Sequence, residues 1–159
     1  MINTEDKLAW CKAGEEAELQ FVESHELCGW DIQINPNKTH DKYTHDMVGR
    51  VPMDLKSIGT RFNTSEKKYG IPTEWAVTVN EKDLVRYSEL YPNILILLDV
   101  AWHEKVWLLT VPRARSLIAA GAAKKHEYLK RKDDKDGNAK HSYVFDLRDL
   151  DEITKWGGR

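Results

Sequence analysis

An α/β fold, a mixed β-sheet flanked by helices, is predicted by three features of the sequence. Segments with the three-to-four-residue apolar period of a helix are interleaved along the chain with segments of strand character. The run Ile94 to Val100 is almost wholly apolar, the mark of a strand buried on both faces and so of a sheet's centre. The 159 residues are 41% hydrophobic, enough to bury one core and too few for two, so residues 1–159 are expected to form a single domain.

The elements follow in order. From Leu8 to Cys28, the residues Trp10, Gly14, Ala17, Phe21, Ser24 and Cys28 recur every three or four positions. Leu8, Cys11 and Val22 widen that stripe, which predicts an amphipathic helix ended by Gly29. Trp30 to Ile34 alternates as a strand does, and Asn35-Pro36-Asn37 turns the chain into a polar segment reaching Thr44. Val51 to Ile58 reads as the next strand, Gly59 to Pro72 as a polar connection, and Trp75 to Val79 as a third strand. Glu81 to Tyr91 suits a short helix stopped by Pro92. After the central strand, a turn at His103-Glu104-Lys105 leads into a strand from Val106 to Val111. Pro112 then suits a helix start, and Ala114 to Lys130 has the composition of a long helix despite Gly121. Asp133 to Lys140 is a polar loop, Tyr143 to Leu147 a late strand, and Leu150 to Trp156 a closing turn of helix. Trp30, Trp75, Trp102 and Trp107 fall in or beside strands and are expected in the core.

Composition narrows the classes of function. Charged residues make up 31% of the chain and no uncharged run is long enough to span a bilayer. Glu5, Asp6, Glu15, Glu16 and Glu18 stand where a signal peptide would be basic and then apolar, so a cytoplasmic protein is expected. Cys11 and Cys28 lack CxxC spacing and are expected as buried thiols in a reducing compartment. The net charge is −2, yet the stretch from Arg113 to Lys140 holds nine Lys/Arg against Glu127, Asp133, Asp134 and Asp136. One segment is basic and the remainder acidic, which leaves room for a polyanion-binding surface on an acidic protein.

The chemistry is concentrated between Asp46 and Lys56. Residues two apart on a strand point to one side, so Asp54 and Lys56 project together while Leu55 faces the other way. An aspartate-lysine pair by itself is most often an ion pair. Eight residues earlier, in Tyr43-Thr44-His45-Asp46-Met47-Val48, an acid follows a polar loop and precedes an apolar pair. A hairpin centred near Gly49-Arg50 would set Asp46 beside Asp54. Two converging carboxylates repel unless a cation lies between them, and such hard oxygen donors suit Mg²⁺ or Mn²⁺. Lys56 would then orient or deprotonate a water or neutralise developing phosphoryl charge. Glu18, at the border of the first helix's buried stripe, is better placed to enter a cleft than Glu15 or Glu23. Asp31 is a second choice for the role of Asp46, although it alternates with Trp30 and Ile32 as a solvent-facing strand residue does. The paired steps His40-Asp41 and His45-Asp46 lack the further helical ligands of a His/Asp phosphohydrolase. Asp134-Lys135-Asp136-Gly137-Asn138 lacks the first and last ligands of a calcium loop.

In this order and spacing the chain resembles the PD-(D/E)xK, or restriction-endonuclease-like, nuclease superfamily. Gly14-Glu15-Glu16-Ala17-Glu18 is similar to the G-x-x-x-E helix of its junction-resolving members, Asp46 to the motif aspartate, and Asp54-Leu55-Lys56 to the (D/E)xK. Tyr43-Thr44-His45-Asp46 is similar to the Tyr-Thr-Pro-Asp of phage junction-resolving endonucleases, with His45 in place of proline. The resemblance spans Gly14 to Ser57.

It implies a restriction-endonuclease-like sheet and a Mg²⁺-dependent endodeoxyribonuclease, with Mn²⁺ as substitute. Asp46, Asp54, the Leu55 carbonyl and Glu18 would serve the metal, and Lys56 the nucleophile. The products would carry 5′-phosphate and 3′-hydroxyl ends. DNA is the implied partner, and a homodimer or higher homo-oligomer would cut two strands by related sites. Arg61, Lys67 and Lys68 after the catalytic strand, and Arg113 and Arg115 in the basic stretch, are candidate DNA contacts. The alternative is a non-catalytic DNA-binding or interaction module with the same fold, for which Lys56 would be dispensable.

Overall fold

The computed structural model describes residues 7–26, 32–41, 43–49, 51–128 and 140–153. The expectations for Cys28, Gly29, Trp30, Asp31 and the loop from Asp133 to Asn138 lie outside them.

Helix α1 (Lys7–Glu26) leads to strand β1 (Gln33–Ile34), a 3₁₀ turn (Pro36–Thr39), β2 (Met47–Val48) and β3 (Pro52–Ile58). A short helix α2 (Ser65–Tyr69), β4 (Ala76–Asn80) and α3 (Glu81–Leu90) precede β5 (Leu95–Val100) and β6 (Lys105–Thr110). Helix α4 (Val111–Ala119), β7 (Lys124–Glu127), β8 (His141–Asp146), a 3₁₀ turn (Leu147–Asp149) and β9 (Asp151–Ile153) complete the order. Among the described residues no helix is long and apolar enough to cross a membrane.

The main sheet has six strands in the order β1-β2-β3-β5-β6-β9, and it is mixed. Strands β3 and β5 run parallel, from Met53 opposite Leu95 to Ile58 opposite Val100, and the other neighbours are antiparallel. A parallel pair requires a crossover, and here β4 and α3 supply it. Strands β4, β8 and β7 form a second, antiparallel sheet.

Residue parity divides the core around the main sheet into two. Met53, Leu55, Leu97 and Val106 pack with Phe21 and Val22 of α1 on one face of the main sheet. Ile96, Leu98, Val100, Trp107 and Leu109 alternate with them and pack with Leu84 and Tyr87 of α3, Ala114 and Leu117 of α4, and Val77 and Phe145 of the second sheet. Strand β5 is therefore covered on both sides, as its apolar run predicts. Asp54 and Lys56 share the parity of Ile58, on the face that α3 covers.

Five expectations are corrected. The helix predicted from Ala114 to Lys130 ends at Ala119. Gly121 takes a left-handed φ of 68°, its N–H bonds the carbonyl of Ile118, and Ala122 N–H bonds that of Leu117. This Schellman geometry closes the helix, and the Ala-Lys composition beyond it forms β7, paired with β8. The predicted closing helix, Leu150 to Trp156, is instead edge strand β9 on β6, with Glu152 ion-paired across to Lys105 at 2.8 Å, and residues beyond Ile153 are not described. The connection from Gly59 to Pro72 contains α2, stopped by Gly70 at φ 71°. Cys11 is exposed, because the buried stripe of α1 narrows to Phe21 and Val22 where the helix meets the sheet. Of the tryptophans, Trp107 is buried, while Trp75 and Trp102 are half-buried at the margin of the core.

Candidate active site

The β2–β3 hairpin builds the centre. Met47 pairs with Met53 and Val48 with Pro52, so Asp46, one step past the last pair, stands opposite Asp54. Directly opposed side chains lie about 4.5–5.5 Å apart at Cβ, where like charges are unfavourable. The Asp46 side chain replaces the missing strand partner, and its Oδ2 accepts from Leu55 N–H at 3.3 Å. A residue's N–H and C=O leave an extended strand on one side. The Leu55 carbonyl therefore faces the same edge, which β2 has vacated.

Asp54 is 3% exposed, and its Oδ2 lies 2.9 Å from Lys56 Nζ. This oxygen is buried, and the Lys56 ammonium is its ion-pair partner. Burial raises the pKa of Asp54 above the ordinary aspartate value, and the neighbouring Asp46 carboxylate adds to this against the opposing pull of Lys56. Burial opposes the Lys56 charge too, but Asp54, Tyr87 and Asp83 outweigh it and hold this ammonium well above the usual lysine range.

Helix α3 supplies residues that the sequence reading missed. Asp83 Oδ2 accepts from Lys56 Nζ at 3.2 Å, and Asp83 Oδ1 lies 3.4 Å from Arg86. The buried Tyr87 ring lies 5.8 Å from Lys56 Nζ, and burial together with Asp54 raises its phenol far above the ordinary value. A usable signal was present in the sequence: Asp83 and Tyr87 are four apart and flank Leu84 on the buried stripe of an amphipathic helix.

Lys38, also unanticipated, joins Glu18 to Asp46. Its ammonium pairs with Glu18 Oε2 and lies 2.8 Å from Asp46 Oδ1. Burial works against its charge, yet Asp46 and Glu18 raise its pKa. The nearly buried Asn35 fixes this segment. It caps the 3₁₀ turn through Asn37 N–H at 3.0 Å, donates to Thr44 Oγ1 at 3.2 Å and His45 O at 3.0 Å, and its own N–H bonds Asp46 O at 2.9 Å. His45 packs edge-on against Tyr91 at 4.9 Å, and burial lowers its pKa.

The structure thus brings Asp46, Asp54, Lys56 and the Leu55 backbone together, and connects Glu18 to them through Lys38. Among the described residues no three His, Cys, Asp or Glu side chains converge as a complete metal cage. The basic candidates are dispersed. Arg61 leaves the sheet beyond the C-terminal end of β3, 5.8 Å from the Trp102 ring, and Lys67 and Lys68 are exposed on α2. Arg113 follows β6 at the opposite end of the sheet and donates to the Asp149 carbonyl at 2.7 Å, while Arg115 is exposed on α4.

The chain matches no family model and no curated protein. Among solved structures, a nuclease from a fusselovirus is similar, with a TM-score of 0.51 at 10% identity over 98% of this chain and 90% of that one. At this identity the likeness is one of fold.

Proposed function

We propose that this chain is a metal-dependent DNA endonuclease of the PD-(D/E)xK type that hydrolyses phosphodiester bonds. The observation that carries the reading is the opposition of Asp46 and Asp54 at the end of β2, with Lys56 ion-paired to the buried Asp54 beside them. The fold likeness to a nuclease supports it.

The donor set fits Mg²⁺, or Mn²⁺ in its place. Mg²⁺ is held by one or two carboxylates with waters and substrate phosphate completing the shell, so two aspartates and the Leu55 carbonyl suffice without a third side chain. When bound, such an ion supplies a water of lowered pKa and polarises the scissile phosphate. Glu18 would serve the outer side of the same cluster.

The chain's own residues do the rest. Lys56, pinned between Asp54 and Asp83, is an ammonium with N–H bonds to give, so it orients the nucleophilic water and stabilises charge on the phosphoryl oxygens and does not act as a base. Asp83 and the Tyr87 ring fix the direction of that ammonium. Asn35 fixes the loop carrying Asp46. Arg61, Lys67 and Lys68 offer phosphate contacts on one side of the site, and a homodimer would present two sites to two strands.

The test is cleavage of supercoiled plasmid, linear duplex and a four-way junction with Mg²⁺, Mn²⁺ or EDTA, comparing wild type with Asp54→Asn and Lys56→Ala. Divalent-dependent cutting that either substitution abolishes is expected, and the preferred substrate separates a restriction or homing role from junction resolution. Wild type that cuts none of the three with either ion, or cutting that survives Lys56→Ala, overturns the reading.

A further inference from the structure

We infer that Lys38 is a tethered counter-cation that competes with the divalent ion for the Asp46 and Glu18 carboxylates and must leave them as the ion loads. The inference rests on the metal-binding part of the reading above. Lys38 Nζ holds Asp46 Oδ1 at 2.8 Å and also pairs with Glu18, so one ammonium occupies the acidic groups on the outer side of the Asp46-Asp54 pair.

The contact is built into the fold. Lys38 lies on the 3₁₀ turn that Asn35 caps, and Asn35 also bonds His45 O and Asp46 O, so one clamp positions both the ammonium and its carboxylate. The three side chains are only 21%, 13% and 15% exposed for Lys38, Glu18 and Asp46, so the pairing is shielded from bulk water. Asp46 is divided between two tasks, with Oδ1 toward Lys38 and Oδ2 toward the Leu55 N–H.

A cation that neutralises the carboxylates in the free protein removes the repulsion that would otherwise draw in a divalent ion. Once released, the ammonium is a phosphate-seeking group at the mouth of the site, so arrival of a polyanion favours its departure and metal uptake together. Metal affinity should therefore be weak in the free protein and higher in the presence of DNA.

The experiment is Mn²⁺ titration of the full chain at fixed ionic strength, read by calorimetry and by the electron paramagnetic resonance of free Mn²⁺, with thermal melts in EDTA and in Mn²⁺. Wild type, Lys38→Met, Lys38→Arg and Asp54→Asn are compared. Lys38→Met is expected to bind Mn²⁺ about tenfold more tightly than wild type (about 1.4 kcal/mol). Its melt in EDTA should fall and be restored by Mn²⁺ by more than that of wild type. Lys38→Arg, which keeps the charge, should bind no more tightly than wild type, and Asp54→Asn should bind most weakly.

Equal or weaker Mn²⁺ binding by Lys38→Met overturns the inference and leaves the metal site standing. Absence of binding by both wild type and Lys38→Met removes the metal site and the inference with it. Tighter binding by Lys38→Met in a protein that cuts no DNA would sustain the competition and refute the nuclease activity.

Discussion

Replacing Lys56 by methionine tests the electrostatics of the site without depending on activity. The substitution keeps most of the aliphatic stem and removes the ammonium that lies 2.9 Å from Asp54 and 3.2 Å from Asp83. Both carboxylates are poorly exposed, with side chains 5% and 9% accessible, so each is left as a charge with little water. Removing one partner of a buried pair costs about 3–5 kcal/mol, and the 29% exposure of the Lys56 side chain brings the expectation to about 2–4 kcal/mol. For a chain of this length that is a fall in Tm of about 5–15 °C. The penalty is electrostatic, so its pH dependence has a definite sign. It is full where Asp54 is ionised and shrinks as pH falls and this carboxylate, its pKa raised by burial, takes up a proton. Denaturant melts from pH 8 down to pH 4 check this, with Asp54→Asn/Lys56→Met expected to recover part of the loss at pH 8. A loss at pH 8 of under about 1 kcal/mol, or one that does not change with pH, would refute a buried role for this ammonium.

Four further predictions follow from particular contacts. Asp54→Asn should be more stable than wild type at pH 7–8: the raised pKa of Asp54 means that its contribution to stability is present at low pH and lost as pH rises through that value, so the advantage of asparagine disappears on acidification, as paired melts would show. Asp83→Asn should slow cleavage with little change in DNA affinity, measured as kcat against Kd, because Asp83 directs Lys56 and faces no substrate; an unchanged kcat contradicts this. Asn35→Ala should cost about 2–3 kcal/mol in denaturant melts, since Thr44, His45 O and Asn37 N–H lose a buried partner, and a near-neutral result would deny that Asn35 organises the loop. Gly121→Ala should cost about 1 kcal/mol, because φ is 68° although space for a Cβ is open, and a stabilised variant would reject the helix end seen at this position.

What could be read from the sequence was local. The side-chain period of two places Asp54 and Lys56 together, and a short hairpin fixes the register that sets Asp46 opposite Asp54, so both follow from a dozen adjacent residues. The apolar run of β5 is similarly self-evident, because a strand flanked by β3 and β6 and covered on both faces needs no polar side. For Asp83 the sequence shows a place on the buried stripe of α3 but not its partner. An acid in the first turn of a helix is ordinarily accounted for by the helix dipole, and only the crossover that lays α3 over the Asp54 face turns it toward Lys56. Lys38 sits in a polar turn without periodicity, and its role depends on α1 bringing Glu18 to the other side of the loop. The misread region around Gly121 shows two signals in conflict, since alanine and lysine favour a helix on both sides of a glycine whose left-handed backbone ends it.

The charges explain why the Asp46-Asp54 pair is the place to look for chemistry. Followed through space, Glu18, Lys38, Asp46, Asp54, Lys56, Asp83 and Arg86 form a chain of contacts in which signs alternate except at one junction, where Asp46 meets Asp54. A fold selected for stability alone would complete the alternation there or replace the pair by apolar residues, because opposed carboxylates in a partly dry setting are unfavourable. The break falls where β2 ends, so the unfavourable pair coincides with the point at which β3 loses its strand partner. Local rules that fail at one point of an otherwise consistent arrangement are the usual mark of a functional site. On the reading proposed above, the partner that completes the alternation would be a divalent cation held between these two aspartates.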